Sequence, residues 1–220
     1  MSSPTPPARS AKLVRAISKA DLALLAIRRY EGDVCLVATA ADFDRARADI
    51  LEESVVGFDT ETRPAFRRGE SYPPCLVQVA TARVVYLFQL SHLAAFPLIV
   101  ELLASPSIVK AGVAMADDLR QLKLVLFPFE AKRVVDLGIE ADRCGIEQTG
   151  LRNLAGIFLG FRIPKGTSTS NWAAPRLSQM QITYAATDAW ACRELYLQFQ
   201  ERGMLRSAAP GARGAFSTPA

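Results

Sequence analysis

The stretch Val55-Val56-Gly57-Phe58-Asp59-Thr60-Glu61 constrains the fold more than any other part of the chain. Its unbroken apolar start reads as a strand buried on both faces, and therefore central in a sheet. It ends in two carboxylates at i and i+2. Side chains alternate along a strand, so Asp59 and Glu61 point to one face. Like charges side by side at the end of a buried strand repel unless a cation joins them. Carboxylate oxygens suit Mg²⁺ or Mn²⁺. The alternative is a strand running into a polar turn.

Around this strand, apolar runs alternate with helical patterns. Asp33–Ala38 reads as an edge strand, and Ala40–Glu53 as an amphipathic helix with Phe43, Ala46, Ile50 and Leu51 on one side. Cys75–Ala80 and Val84–Gln89 read as a hairpin joined by Thr81-Ala82-Arg83. A helix is expected over Leu93–Leu103, a strand over Ile108–Val113 and a helix from about Asp118 to Phe127. Val134-Val135 reads as a short strand before another helix. Leu151–Leu159 is expected to be helical, and Leu177 to about Arg202 to be one long helix. Ser178 and Gln181 form a capping box at its start, with Leu177 and Ile182 at the staple positions. This order implies an α/β fold, a mixed sheet of about five to six strands covered by helices on both faces. The expected organisation is a disordered basic tail over 1–18, one domain over 19–204 and a disordered tail over 205–220.

Two further acidic segments accompany the first. Lys110-Ala111-Gly112-Val113 leads through Ala114-Met115-Ala116 to Asp117-Asp118-Leu119, acids at a strand-to-helix junction. Acids there also serve as helix caps. Asp118 lies four residues before Leu122 and borders the face of Leu119, Leu122 and Leu126, so Asp118 is the ligand candidate and Asp117 the cap. In the long helix Tyr184 and Asp188 are spaced i, i+4 and stack on one face. Ala185 and Ala189 lie on the adjacent stripe, small enough to let the helix approach the sheet.

Composition removes several chemistries. His92 is the only histidine of 220 residues. It sits in an ordinary helix start, which weakens the serine-hydrolase and zinc-protease classes. Cys35, Cys75, Cys144 and Cys192 are scattered with no Cys-x-x-Cys pair, against zinc and against a disulfide framework, and read as reduced core residues of a cytoplasmic protein. No apolar run reaches 18 residues, so no membrane span is expected. The net charge of +4 is compatible with a polyanionic partner. Arg9, Lys12, Arg15 and Lys19 make the N-terminus basic, as in a transit peptide or a solvated tail.

With these motifs assembled, the chain resembles the 3′–5′ exonucleases built on four acids and a tyrosine, the group of ribonuclease D, the Werner helicase exonuclease domain and the polymerase I proofreading domain. Phe58-Asp59-Thr60-Glu61 is similar to the family's Asp-x-Glu motif. Ser71-Tyr72-Pro73-Pro74 through Leu76-Val77-Gln78-Val79-Ala80 is similar to the stretch that follows it, Val109 through Asp118 to the second motif, and Tyr184 through Asp188 to the Tyr-x-x-x-Asp motif. The resemblance runs from about Asp33 to Gly203. It implies a ribonuclease H-like fold and a metal-dependent hydrolase that removes nucleoside 5′-monophosphates from the 3′ end of single-stranded RNA or DNA. It implies two Mg²⁺ (or Mn²⁺) ions held by Asp59, Glu61, Asp118 and Asp188, with Tyr184 orienting the attacking water. The sequence ends soon after the third motif, so substrate choice conferred by the helical domains of ribonuclease D is not carried over.

The Arg63–Tyr72 loop mixes basic and aromatic residues, as suits phosphate contact and base stacking. The Arg162–Trp172 loop is basic and flexible. Arg67, Tyr72, Lys165 and Trp172 of these loops, together with Thr60 and Gln78 of the strands that flank the first, are the candidate substrate contacts. Two other readings are a non-catalytic nucleic-acid-binding module on the same fold and a metal-dependent phosphoesterase for small nucleotides.

Overall fold

The computed structural model describes residues 14–65, 67, 69–126, 128–166 and 170–206. Most of the two expected tails, and Phe66, Arg68 and residues 167–169 of the two candidate substrate loops, lie outside these. Residues 14–18 do not lie free. Glu147 donates its backbone N–H to Arg15 O at 2.9 Å, and Ile17 donates to Gln148 Oε1 at 3.0 Å.

Six strands form one mixed sheet: β1 (Asp33–Leu36), β2 (Val55–Thr62), β3 (Pro74–Ala80), β4 (Val84–Gln89), β5 (Val109–Gly112) and β6 (Val134–Asp136). Their spatial order is β1-β4-β3-β2-β5-β6. The β2-β3-β4 meander is antiparallel. β1 joins β4, β5 joins β2 and β6 joins β5 in parallel. β2 is central and β1 an edge, as its apolar run and isolated position imply.

Helices cover both faces, and the pleat of β2 decides what each receives. Val56 and Phe58 point toward α2 (Ala40–Leu51), α3 (Phe96–Ala104) and α4 (Met115–Val125), packing with Ala46, Ile50, Leu102 and Leu122. Val55 points the other way, toward α5 (Leu137–Arg143) and α7 (Gln179–Glu201). α7 lies across β2, β3, β4 and β5. Its start carries the expected Ser178–Gln181 capping box, and Leu177 and Ile182 each pack against the adjoining cluster.

Local differences from the sequence reading have physical causes. Leu51 ends α2 and is 36% exposed, outside the core face. α4 begins at Met115, earlier than Asp118, because Ala114 adopts a left-handed conformation (φ 58°) that turns the chain into the helix. Its cap is not Asp117, which is exposed and paired with Arg120 at 3.0 Å. Asp136, from β6, instead accepts the Met115 N–H at 3.0 Å. The 151–159 helix is two pieces, α6 (Leu151–Leu154) and a π-helical turn over Ala155–Leu159 that ends at Gly160 in the left-handed region. α1 (Lys19–Leu24), capped by Ser18, was not anticipated.

Candidate active site

The carboxylates gather where the carboxyl ends of β2 and β5 meet the helices of both faces, the position at which open α/β sheets bind ligands. β2 delivers Asp59 and Glu61, α7 delivers Asp188 and Tyr184, and α4 brings Asp118 from beyond the end of β5. One carboxylate oxygen from each of Asp59, Glu61 and Asp188 lies within 4.8 Å of the others.

This proximity rests on a close approach of α7 to β2. A Cβ built on Gly57 would stand 1.9 Å from the Ala189 carbonyl oxygen and 2.8 Å from the Arg193 nitrogen. Only glycine leaves room for the helix backbone at this depth. Ala185, Ala186 and Ala189 are fully buried along the same contact. The alanine stripe is legible in the sequence; the matching glycine carries a weaker signal, an isolated Gly inside a strand pattern.

The cluster is electrostatically costly without a counter-charge. Burial, then the charges of Asp188 and Asp118, hold the Asp59 carboxyl well above the ordinary range, against a hydrogen bond from the Thr60 N–H at 2.9 Å. Burial and the charges of Asp59, Asp188 and Asp118 push Glu61 up to about 9. Asp118 is pushed up to about 6 by burial, opposed by the adjacent Thr60 hydroxyl. Asp188 is likewise pushed up to about 6 by burial, opposed by the Tyr184 hydroxyl and the Arg152 guanidinium. Burial and the charges of Asp188 and Glu61 raise the Tyr184 phenol, so it stays protonated and donates. All four carboxyls are raised by burial, and Asp59 and Glu61 also by the charges of their neighbours, so the cluster is unfavourable as a set of bare anions. An all-oxygen donor set of this kind fits hard divalent cations.

The candidate substrate contacts divide. Lys165 and Arg67 are exposed. Tyr72 is half-buried, with the Arg63 guanidinium 4.2 Å above its ring. Thr60 is buried, with its hydroxyl beside the Asp118 carboxyl. Gln78 and Trp172 are corrected: both are fully buried and offer a substrate no surface. The β2–β3 register sets Gln78 opposite Asp59 on the face that α7 covers. Trp172 packs in the cluster of Leu76, Leu87 and Ala185, its ring 6.0 Å from that of Tyr184.

Sequence reasoning missed Arg152, whose charge reaches Asp188 and Tyr184 and whose Nη2 donates to Pro164 O at 3.1 Å. Nothing in its local pattern distinguishes it from a solvated helix arginine.

A family model described as 3′–5′ exonuclease matches residues 34–203. The human exonuclease mut-7 homolog is 30% identical over 192 residues, which take up 74% of this chain and 22% of that protein. Ribonuclease D of Gluconacetobacter diazotrophicus is 33% identical over 174 residues, covering 77% of this chain and 43% of the relative. The chain thus spans less than half the length of these curated relatives. Among solved structures, the Nibbler EXO domain of Aedes aegypti superposes with a TM-score of 0.70 at 22% identity, covering 80% of this chain and 91% of that one.

Proposed function

Because the chain belongs to the 3′–5′ exonuclease family, we propose that it hydrolyses phosphodiester bonds one at a time from the 3′ end of single-stranded RNA or DNA, releasing nucleoside 5′-monophosphates. The observation that carries this reading is the grouping of Asp59, Glu61 and Asp188 oxygens within 4.8 Å, with the Asp118 charge and the protonated Tyr184 phenol beside them. Asp59, Glu61 and Asp188 would hold one Mg²⁺ or Mn²⁺, and Asp59 would share a second, with Asp118 acting through its water shell. When bound, such ions would offset the carboxylate charge and supply charge stabilisation for an in-line displacement.

The side chains have separable tasks. Asp59 faces Asp188 and Asp118 and sets the spacing of the cluster. Tyr184 donates its phenol hydrogen and orients the attacking water; with an ordinary pKa of about 10, raised further here, it is no general base. Arg67, Tyr72 and Lys165 contact the strand, Tyr72 by stacking and the two cations by phosphate attraction. The catalytic unit is residues 19–204. Four free cysteines fit the reducing cytoplasm, and among the described residues no helix is long and apolar enough to cross a membrane.

The test is a gel assay on 5′-labelled RNA and DNA of one sequence, with Mg²⁺, Mn²⁺ or EDTA. A metal-dependent ladder shortening from the 3′ end is expected. Binding of the strand without any shortening would instead favour a non-catalytic module. Asp59→Ala and Asp188→Ala should each abolish the ladder while leaving the circular dichroism spectrum unchanged, and wild-type turnover in either purified variant would remove that residue from the site.

A further inference from the structure

We propose that two paired basic segments, 26–29 and 162–165, form a track that holds the phosphates of the single strand upstream of its 3′ end. The proposal deepens the exonuclease reading and rests on it for the identity of the polyanion. Segments about 135 residues apart in sequence are joined here backbone to backbone. Ile27 and Arg162 form a parallel bridge. Arg28 N donates to Arg162 O at 3.1 Å and Arg162 N to Ala26 O at 3.0 Å. The Arg162 side chain fastens the pair by donating from Nε to Leu25 O at 3.2 Å.

The pairing concentrates charge of one sign. Residues 26–29 and 162–165 contain Arg28, Arg29, Arg162 and Lys165 and no acid. Arg28, Arg29 and Lys165 are exposed. Among the described residues none of the three has a carboxylate within salt-bridge distance, whereas Arg47, Arg83 and Arg120 on the α2 and α4 side all do. Cations gathered on a backbone bridge without counter-ions repel one another, and a polyanion lying along them removes that cost.

The track also leads to the acids. Tyr30, next after Arg29, donates its N–H to Thr187 Oγ1 at 3.0 Å, one residue before Asp188. Trp190 of α7 stacks on Phe161 at 5.4 Å and meets Tyr30 at 5.9 Å, fixing both segments to the helix. From the other segment, Pro164 is held by Arg152, and Gly166 lies against the Tyr184 ring, so close that a Cβ at this position would stand 2.2 Å from the ring. A carboxylate cluster repels phosphate, and cations fixed on segments that touch Thr187 and Tyr184 supply an opposing attraction.

The experiment reads binding without turnover. The full chain and its Arg28→Glu/Arg29→Glu variant are titrated in EDTA against 5′-labelled strands of four and twelve nucleotides, by fluorescence anisotropy over a range of salt. Because no hydrolysis is needed, failure of the exonuclease reading leaves this outcome interpretable. The variant should bind the twelve-nucleotide strand at least about 10-fold more weakly at low salt. Its slope of log affinity against log salt should fall by about 1.4, two contacts at about 0.7 each. The loss for the four-nucleotide strand should be smaller. An Arg47→Glu/Lys132→Glu variant carries the same change in net charge on exposed residues elsewhere and should retain affinity. An unchanged slope in the first variant, or an equal loss in both, would overturn the track.

Discussion

Replacing Gly57 by alanine tests the contact on which the whole site depends. The added methyl would fall 1.9 Å from the Ala189 carbonyl oxygen and 2.8 Å from the Arg193 nitrogen. Both obstructing atoms are backbone, so no side chain can swing aside. To restore an ordinary contact near 3.4 Å, α7 must retreat from β2 by about 1.5 Å. Overpacking of a rigid core contact costs about 1–3 kcal/mol, and the upper end applies where helix and central strand must both move. The lower conformational entropy of alanine in the unfolded chain returns at most about 1 kcal/mol. The rate should suffer more. Asp188 and Tyr184 ride on α7, and a misplacement of about 1 Å costs on the order of 100-fold in rate. The assay pairs urea unfolding with single-turnover cleavage of a labelled strand, at a temperature where the variant is fully folded. Gly150→Ala is the internal control, because its Cβ meets nothing within 4 Å and its φ is −72°; its stability should stay within about 0.5 kcal/mol. A Gly57→Ala protein with normal stability and normal rate would show that α7 does not sit at this depth, and the argument for the site would fail with it.

Three further outcomes follow from the same geometry. Tyr184→Phe removes one hydrogen bond to the water and should lower kcat by about 10- to 100-fold with KM nearly unchanged; a rise in KM alone would make Tyr184 a binding residue. In metal-free protein, carboxyls whose folded pKa is raised bind protons that the unfolded chain releases, so stability is full below about pH 4 and declines as pH climbs past it. The raised Asp188 and Glu61 carboxyls both contribute to this decline, Glu61 extending it toward about pH 9. Thermal melts in EDTA should therefore fall between about pH 5 and about pH 8, and millimolar Mg²⁺ or Mn²⁺ should abolish most of the fall; a flat EDTA profile would contradict the raised values. Trp172→Ala should cost about 3–5 kcal/mol in urea unfolding, as for any fully buried large side chain, whereas a stability loss under about 1 kcal/mol with weakened strand binding would return Trp172 to the substrate face.

The two strongest periodicities of protein chains made most of the site legible. Period two put Asp59 and Glu61 on one face of β2, and the i, i+4 rule put Tyr184 and Asp188 on one face of α7. The capping box marked the start of that helix to the residue. Apolar continuity marked β2 as central, and this held because a strand covered on both faces has no polar side to show. Local patterns of this kind are written in the chain itself, since they depend on neighbours within one or two turns.

What the sequence left open depends on partners far along the chain. Asp117 and Asp118 are equal as local helix caps; the acceptor for the first turn is instead Asp136, which reaches Met115 only because β6 lies beside β5. Gln78 and Trp172 look like polar and aromatic contact residues until the β2–β3 register and the cover of α7 place them inside. The fastening of residues 26–29 to Arg162 has no local signature at all. Residue types and spacing picked out the candidate side chains of the site. Only the tertiary structure decided how close they stand, because the gap at Gly57 is a property of two backbones pressed together and neither strand nor helix specifies it alone.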